Sequence, residues 1–219
     1  MPIAYRPPPH TGLEILHSDG ALLVVNKPAG LLSVPGRGPD RQDCLTARVQ
    51  KEYPEAMSVH RLDMETSGLM VMARSRCVHR QLSQLFAHRQ VDKHYVAVVD
   101  GRMQQFCGEI DLPLSADWPN RPRQKVDYKN GKASRTRFSV EQHNPCDNTT
   151  RVDLAPETGR THQLRVHLQA LGHAILGDRL YAGRTVRDKA DRLLLHAASL
   201  AFRHPLSGEQ LYFESAAPF

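Results

Sequence analysis

Cysteine is scarce in this chain and shows no pairing pattern. The four residues, Cys44, Cys77, Cys107 and Cys146, are scattered, and no Cys-x-x-Cys occurs. That speaks against a zinc ribbon or a dithiol redox motif, and free thiols suit a reducing, cytoplasmic setting. No run of 18 apolar residues is present, so no membrane-spanning helix is expected. Met1 to His10 carries four prolines and no apolar core segment. It reads as an extended arm rather than a signal peptide. The 12 histidines include no His-Glu-x-x-His, and His162 and His167 are five apart, off a common helical face. No metal site is expected from such spacing. There is no fixed-period repeat, low-complexity tract or Ser/Gly linker, and Trp118 is the only tryptophan.

What is present fits a folded domain with a basic surface. With 219 residues, 40% of them hydrophobic and 24% charged, the chain can bury a real core. Lysine and arginine outnumber the acids by 29 to 23, a net charge of +6. The excess favours a polyanionic partner.

Leu13 to His17 and Ala21 to Lys27 flank Ser18-Asp19-Gly20 and predict a hairpin. Cys44 to Tyr53 predicts a short helix ended by Pro54, and Leu69 to Ala73 a buried strand. From Ser75 to Arg89, Val78, Leu82, Leu85 and Phe86 form one apolar helix face. Lys93 to Val99 predicts a strand with Lys93 and Tyr95 on the same side. Asn130-Gly131 predicts a hairpin turn between Lys125–Tyr128 and Ser134–Glu141, with Thr149–Ala155 as a third strand. Thr161 is a plausible N-cap for a helix carrying Leu164, Leu168 and Leu171, with Gly172 as its stop. Leu193–Phe202 and Gln210–Phe213 close the chain as strands. Together these elements predict one mixed α+β domain over residues 13–219 behind an arm at 1–12.

The stretch Val59-His60-Arg61-Leu62-Asp63-Met64-Glu65-Thr66-Ser67-Gly68 joins two apolar runs. Asp63 stands two residues from Arg61. A carboxylate beside a guanidinium stays ionised at neutral pH, which suits a nucleophile or electrostatic stabiliser. A surface ion pair at a turn is the simpler alternative.

His60-Arg61-Leu62-Asp63 followed by Thr66-Ser67-Gly68 resembles the catalytic motif of the RluA family of pseudouridine synthases. Asn26-Lys27-Pro28-Ala29-Gly30-Leu31 resembles that family's N-terminal signature, and Lys93-His94-Tyr95-Val96-Ala97 its tyrosine strand. Gly159-Arg160-Thr161-His162-Gln163-Leu164-Arg165-Val166-His167 resembles its second basic motif, and Leu193-Leu194-Leu195-His196-Ala197 its closing strand. These blocks fall in the family's order along nearly the whole chain. Asp117-Trp118-Pro119-Asn120-Arg121-Pro122 is similar to a segment of the family's dual-specificity member, which acts on transfer RNA and large-subunit ribosomal RNA.

The resemblance implies the pseudouridine synthase fold: a bent, mixed, largely antiparallel sheet with flanking helices and a central active-site cleft. It implies isomerisation of uridine, with no cofactor. Asp63 is then the catalytic carboxylate, Arg165 its ion-pair partner, and Tyr95 the residue against the base. Arg61 fills the gap left by the extruded nucleotide, and His60, Leu195 and His196 shape the pocket. Arg160, Arg121 and Trp118 are further substrate-binding candidates. Trp118 and Arg121 can stack on unpaired bases; the alternative is that Trp118 plugs its loop onto the core. Many family members carry an extra N-terminal S4 domain. The dozen residues before the first strand are too few for one, so recognition is expected from the catalytic domain, with the basic stretch Arg121 to Arg137 against the RNA backbone. The implied partners are transfer RNA anticodon stem-loops and a 23S ribosomal RNA hairpin, with no DNA, for a cytoplasmic monomer. Two other classes compete: a non-catalytic RNA-binding or ribosome-assembly protein of the same fold, and a hydrolase. A hydrolase needs a second carboxylate or a metal cluster, and neither is evident near the motif, where Glu65 is the only other acid.

Overall fold

The computed structural model describes residues 5–219; the first four residues of the expected arm lie outside that range. In chain order the first elements are β1 (Glu14–Ser18), β2 (Leu22–Lys27), α1 (Leu45–Val49), β3 (Met57–Ser58), β4 (Ser67–Ala73), α2 (Arg76–Ala87), β5 (Asp92–Asp100) and β6 (Cys107–Asp111). Then come β7 (Leu114–Ala116), β8 (Gln124–Val126), β9 (Arg135–Asn144), β10 (Thr149–Pro156), α3 (Gln163–Ala170), α4 (Arg184–Arg187), β11 (Leu195–Arg203) and β12 (Gln210–Glu214). They form two compact units. One holds the chain up to Asp92 with Ala197–Ala217, the other Lys93–His196 with Pro218–Phe219.

In the first unit β1 pairs antiparallel with β2, and β2 with β4. The part of β11 in this unit lies next to β4 and pairs antiparallel with β12, while β3 also pairs β4. Every residue of β4 is buried. A strand covered on both faces has no need of polar alternation, which is why it reads as one apolar run. The predicted hairpin turn is tied by Asp19, whose Oδ1 accepts from the backbone N–H groups of Ala21 (2.6 Å) and Leu22 (2.8 Å). Helix α2 starts where its pattern indicated. The Ser75 hydroxyl accepts from Val78 N–H, and Val78 and Leu82 enter the core with Leu85 and Phe86 packed against it. From Tyr5 onward the described part of the arm is pinned. Tyr5 donates to the Asp43 carbonyl and accepts from Leu32 N–H, and Arg48 donates to the Pro8 carbonyl.

In the second unit the strand order is β5-β10-β9-β6, all antiparallel. Its core gathers Ala97, Val99, Phe138, Val152, Leu154, Leu164 and Leu168. Two local expectations are corrected here. Asn130-Gly131 does not join β8 to β9; β8 pairs with β7 in a separate two-stranded sheet. The turn is built by Asp127, whose Oδ1 accepts from Lys129 and Asn130 N–H. Gly131 is required because a Cβ would overlap the Asp127 carbonyl and lie 2.8 Å from the Pro113 carbonyl carbon. Thr161 is not the N-cap of α3. That position is His162, at φ 55° and ψ 17°. The loop is tied by Gln163, whose Oε1 accepts from Arg160 N–H and the Thr158 hydroxyl. Gly172 does end the helix, at φ 86°. A few helices alongside mostly antiparallel strands make this an α+β protein, as expected.

Candidate active site

The loop that carries Asp63 is clamped on both sides through its backbone. The Ser33 hydroxyl donates to the Leu62 carbonyl (2.7 Å) and accepts from Leu62 N–H (3.1 Å). On the other side the Met64 carbonyl accepts from Gly30 N–H (2.9 Å) and from Lys27 Nζ (3.0 Å). Lys27 also donates to the carbonyls of Leu31 (2.7 Å) and Pro28 (2.9 Å), and its side chain is fully buried. Asp63 therefore sits between two fixed residues while its own side chain stays half-buried. Two residues beyond Thr66, Gly68 is the second residue of β4 and has φ 114°, and a Cβ there would overlap the backbone of Ala197. Only glycine permits this approach of β4 and β11.

Lys27→Met keeps most of the side-chain volume and removes every donor. Leaving buried carbonyls without partners costs about 1–3 kcal/mol each at most, and the chain relaxes to recover part of it. The expected outcome is a loss of roughly 2 kcal/mol in stability and a larger loss in turnover than in RNA affinity, because the loop beside Asp63 loosens. Thermal melting and single-turnover rates check both parts.

His60 is a structural residue as well as a neighbour of Asp63. Its Nε2 accepts from Val71 N–H (3.0 Å), and its ring stacks on Phe86 with centroids 4.5 Å apart. Nε2 thus serves as an acceptor, and the bond and the stack together fix the orientation of the ring. Arg61 is exposed, consistent with a side chain able to reach outward.

Tyr95, Arg165, Leu195, Arg160, Arg121 and Trp118 belong to the second unit. Tyr95 packs against the core cluster that contains Leu195 and Leu164. His196 is buried beside Leu195 in sequence. Arg165, on α3, makes a pair that the sequence did not reveal. Its Nε and Nη2 donate to Asp178 Oδ2 (2.8 Å) and Oδ1 (2.7 Å), with both side chains buried. Asp178 Oδ1 also accepts from Leu180 and Tyr181 N–H. Burial works against ionisation of Asp178, but the Arg165 hydrogen bonds and charge and those two amides outweigh it and lower its pKa. Tyr181 extends the assembly. Its ring lies 5.1 Å from the Arg165 guanidinium, and its hydroxyl is 2.6 Å from His162 Nδ1 and accepts from Gln124 N–H.

The surface candidates sort differently. Trp118 is 69% exposed, so it does not plug its loop onto the core. Arg121 lies over its ring at 3.3 Å, an outward-facing cation–π pair. Arg160 donates to the Ala133 carbonyl (3.3 Å). The basic stretch is shorter than its sequence suggests. Arg135 pairs with Glu109 and Asp111, and Arg137 with Glu157, which leaves Arg121 to Lys132 as its net-positive part. Ser33 and Asp178 carry no motif; only proximity in the fold shows their roles.

The model of the RNA pseudouridylate synthase family matches residues 21–170. The dual-specificity RNA pseudouridine synthase RluA of Escherichia coli K12 is 51% identical over 215 residues, 98% of each chain. Its namesake in Pasteurella multocida is 48% identical over 217 residues, 99% of each chain. Among solved structures, human RNA pseudouridylate synthase domain containing 1 superposes with a TM-score of 0.81 at 30% identity, covering 98% of this chain and 87% of that one. Human RNA pseudouridylate synthase domain containing 4 gives 0.73 at 27% identity, with 94% and 88% covered. The fold is thus the pseudouridine synthase fold. Since one family model spans more than half of the residues and relatives about half identical extend along nearly all of them, the chain belongs to the RNA pseudouridylate synthase family and isomerises uridine to pseudouridine in RNA.

Proposed function

We propose that this synthase has dual specificity and acts on uridines in transfer RNA anticodon stem-loops and in a 23S ribosomal RNA hairpin. The observation that carries this reading is the extent of likeness to enzymes named dual-specificity, which covers 98% of the chain. The exposed Trp118–Arg121 pair and the basic stretch through Lys132 support it. They offer a stacking surface and cations to a splayed loop and its backbone. No helix among the described residues is long and apolar enough to cross a membrane. A cytoplasmic monomer that acts on RNA and not on DNA, with residues 13–219 working as one catalytic domain, completes the proposal.

The chemistry assigned to the site balances without an added reagent. The bond from ribose C1′ to uracil N1 breaks, the base turns, and a bond from C1′ to C5 forms. C5 gives up its proton and N1 gains one. Asp63 supplies the ionised carboxylate, whether it attacks C6, attacks C1′ or removes a ribose proton. Arg165 pairs with it and keeps it charged. Tyr95 lies against the base and takes part in removing the C5 proton; a phenol of ordinary pKa near 10 needs help in that role. Arg61 occupies the place of the extruded nucleotide, offsetting an unstacking cost of a few kcal/mol. His60, Leu195 and Arg160 line the approach.

The test uses unmodified Escherichia coli transfer RNA and 23S ribosomal RNA transcripts tritiated at uridine C5, incubated separately with EDTA present. Bond formation at C5 must expel the label to water. Release from both classes is the expected result. Release from one class alone ends the dual assignment, and release from neither overturns both substrates.

A further inference from the structure

Lys93 is a cation placed where the fold gives it nothing to neutralise. It opens the second unit on β5, half-buried, and alternation puts it on the face of β5 that carries Tyr95, Ala97 and Val99. Ala97 and Val99 belong to a core cluster against which Tyr95 packs. Opposite this face on β10 stand Leu154, across from Tyr95, and Val152, across from Ala97. The acid of β10, Asp153, is paired across from Val96 on the other face, where it binds His94 Nδ1 at 2.9 Å. Among the described residues, no hydrogen bond or ion pair to the Lys93 ammonium is present, and desolvation is the one influence on it, pulling its pKa below the ordinary lysine range. An uncompensated, partly desolvated charge costs stability. Next to an apolar face a lysine can usually extend its stem and keep the ammonium in water, yet this one is held partly out of it.

We propose that Lys93 is a substrate-binding residue that takes a backbone phosphate of the RNA beside the uridine that meets Tyr95. Two strand residues span about 6.6 Å, so a nucleotide lying along this face brings base and phosphate within reach of both side chains. A phosphate supplies the counter-charge that the protein withholds, and a lysine binds it as a point charge. The inference rests on the reading of Tyr95 as the residue against the base.

Lys93→Met is the informative variant, because it keeps the stem and removes only the charge. Lys93→Arg restores a cation. Both are compared with the wild-type enzyme by thermal melting and by initial rates of tritium release from the same pooled transcripts between 50 and 200 mM salt (concentrations on the scale over which phosphate contacts are read). For Lys93→Met the melting temperature is expected to stay level or rise. Its kcat/KM falls about tenfold or more, and the slope of log(kcat/KM) against log salt becomes shallower by about 0.7 to 0.9. Lys93→Arg recovers the slope. An unchanged slope overturns the proposal whatever the melting temperature does, and a lower melting temperature with unchanged slope makes Lys93 a structural residue. Tyr95→Phe runs alongside: full turnover there removes Tyr95 from the reaction, while the salt slope of Lys93→Met still decides whether Lys93 holds a phosphate.

Discussion

Asp63→Asn should bind RNA as the wild-type enzyme does and release no measurable tritium from it. The two halves of that expectation have separate physical grounds. Asparagine has the shape of aspartate, and the loop around position 63 is fixed by bonds that do not involve its side chain. Ser33 holds Leu62 through both backbone groups, and Gly30 and Lys27 hold Met64. Affinity is therefore expected to stay within about twofold, since phosphate and stacking contacts lie elsewhere. Turnover fails because a neutral amide is neither nucleophile nor base. The loss should reach roughly four orders of magnitude or more, the scale seen when the group that makes and breaks bonds is removed. Filter binding and overnight label release on one protein preparation measure both halves. A variant that still turns over at a hundredth of the normal rate would take Asp63 out of the bond-making step.

What the sequence made legible follows from where the determining interactions lie. Strand β4 and helix α2 were readable because their patterns are local. A strand buried on both faces is an apolar run, and a helix with one buried face repeats at its own period. The motif around Asp63 was readable by resemblance, and so was the strand of Tyr95. The misplaced start of α3 had a different cause. Its loop is satisfied by Gln163 reaching back to Thr158 and Arg160, so the expected hydroxyl cap was unnecessary. Asn130-Gly131 misled because the glycine answers a steric demand from Asp127 and Pro113 rather than a hairpin. Ser33 acts on a backbone 29 positions away. Spacing rules see side chains a few residues apart, and a hydroxyl that meets a distant carbonyl leaves no trace in them.

Asp178 is the largest such omission, and Asp178→Ala should be the most destabilising change at the site. The substitution leaves the Arg165 guanidinium buried without the carboxylate that holds its Nε and Nη2, and frees the amides of Leu180 and Tyr181. Removing one partner of a buried ion pair costs about 3–5 kcal/mol, because the survivor loses the counter-charge that offset its burial. At roughly 2–4 °C per kcal/mol for a chain of this size, melting should fall by about 10 °C at pH 7. The pH dependence identifies the cause. The folded-state pKa of Asp178 is lowered from its ordinary 3.8, so the pair's contribution is complete above that value and is lost as pH falls through the folded pKa. Wild type and Asp178→Ala should therefore differ most near neutrality and converge in acid below the ordinary aspartate range. A constant gap down to about pH 2 would mean that the aspartate stabilises by shape and not by charge. Turnover measured well below both melting points then addresses chemistry. Asp178 grips the Arg165 guanidinium through both Nε and Nη2, which holds it in one orientation. Asp178→Asn, which keeps an acceptor and loses the charge, should fall between the two in stability. A fall in its kcat with little change in KM would show that Asp178 orients the arginine rather than the RNA.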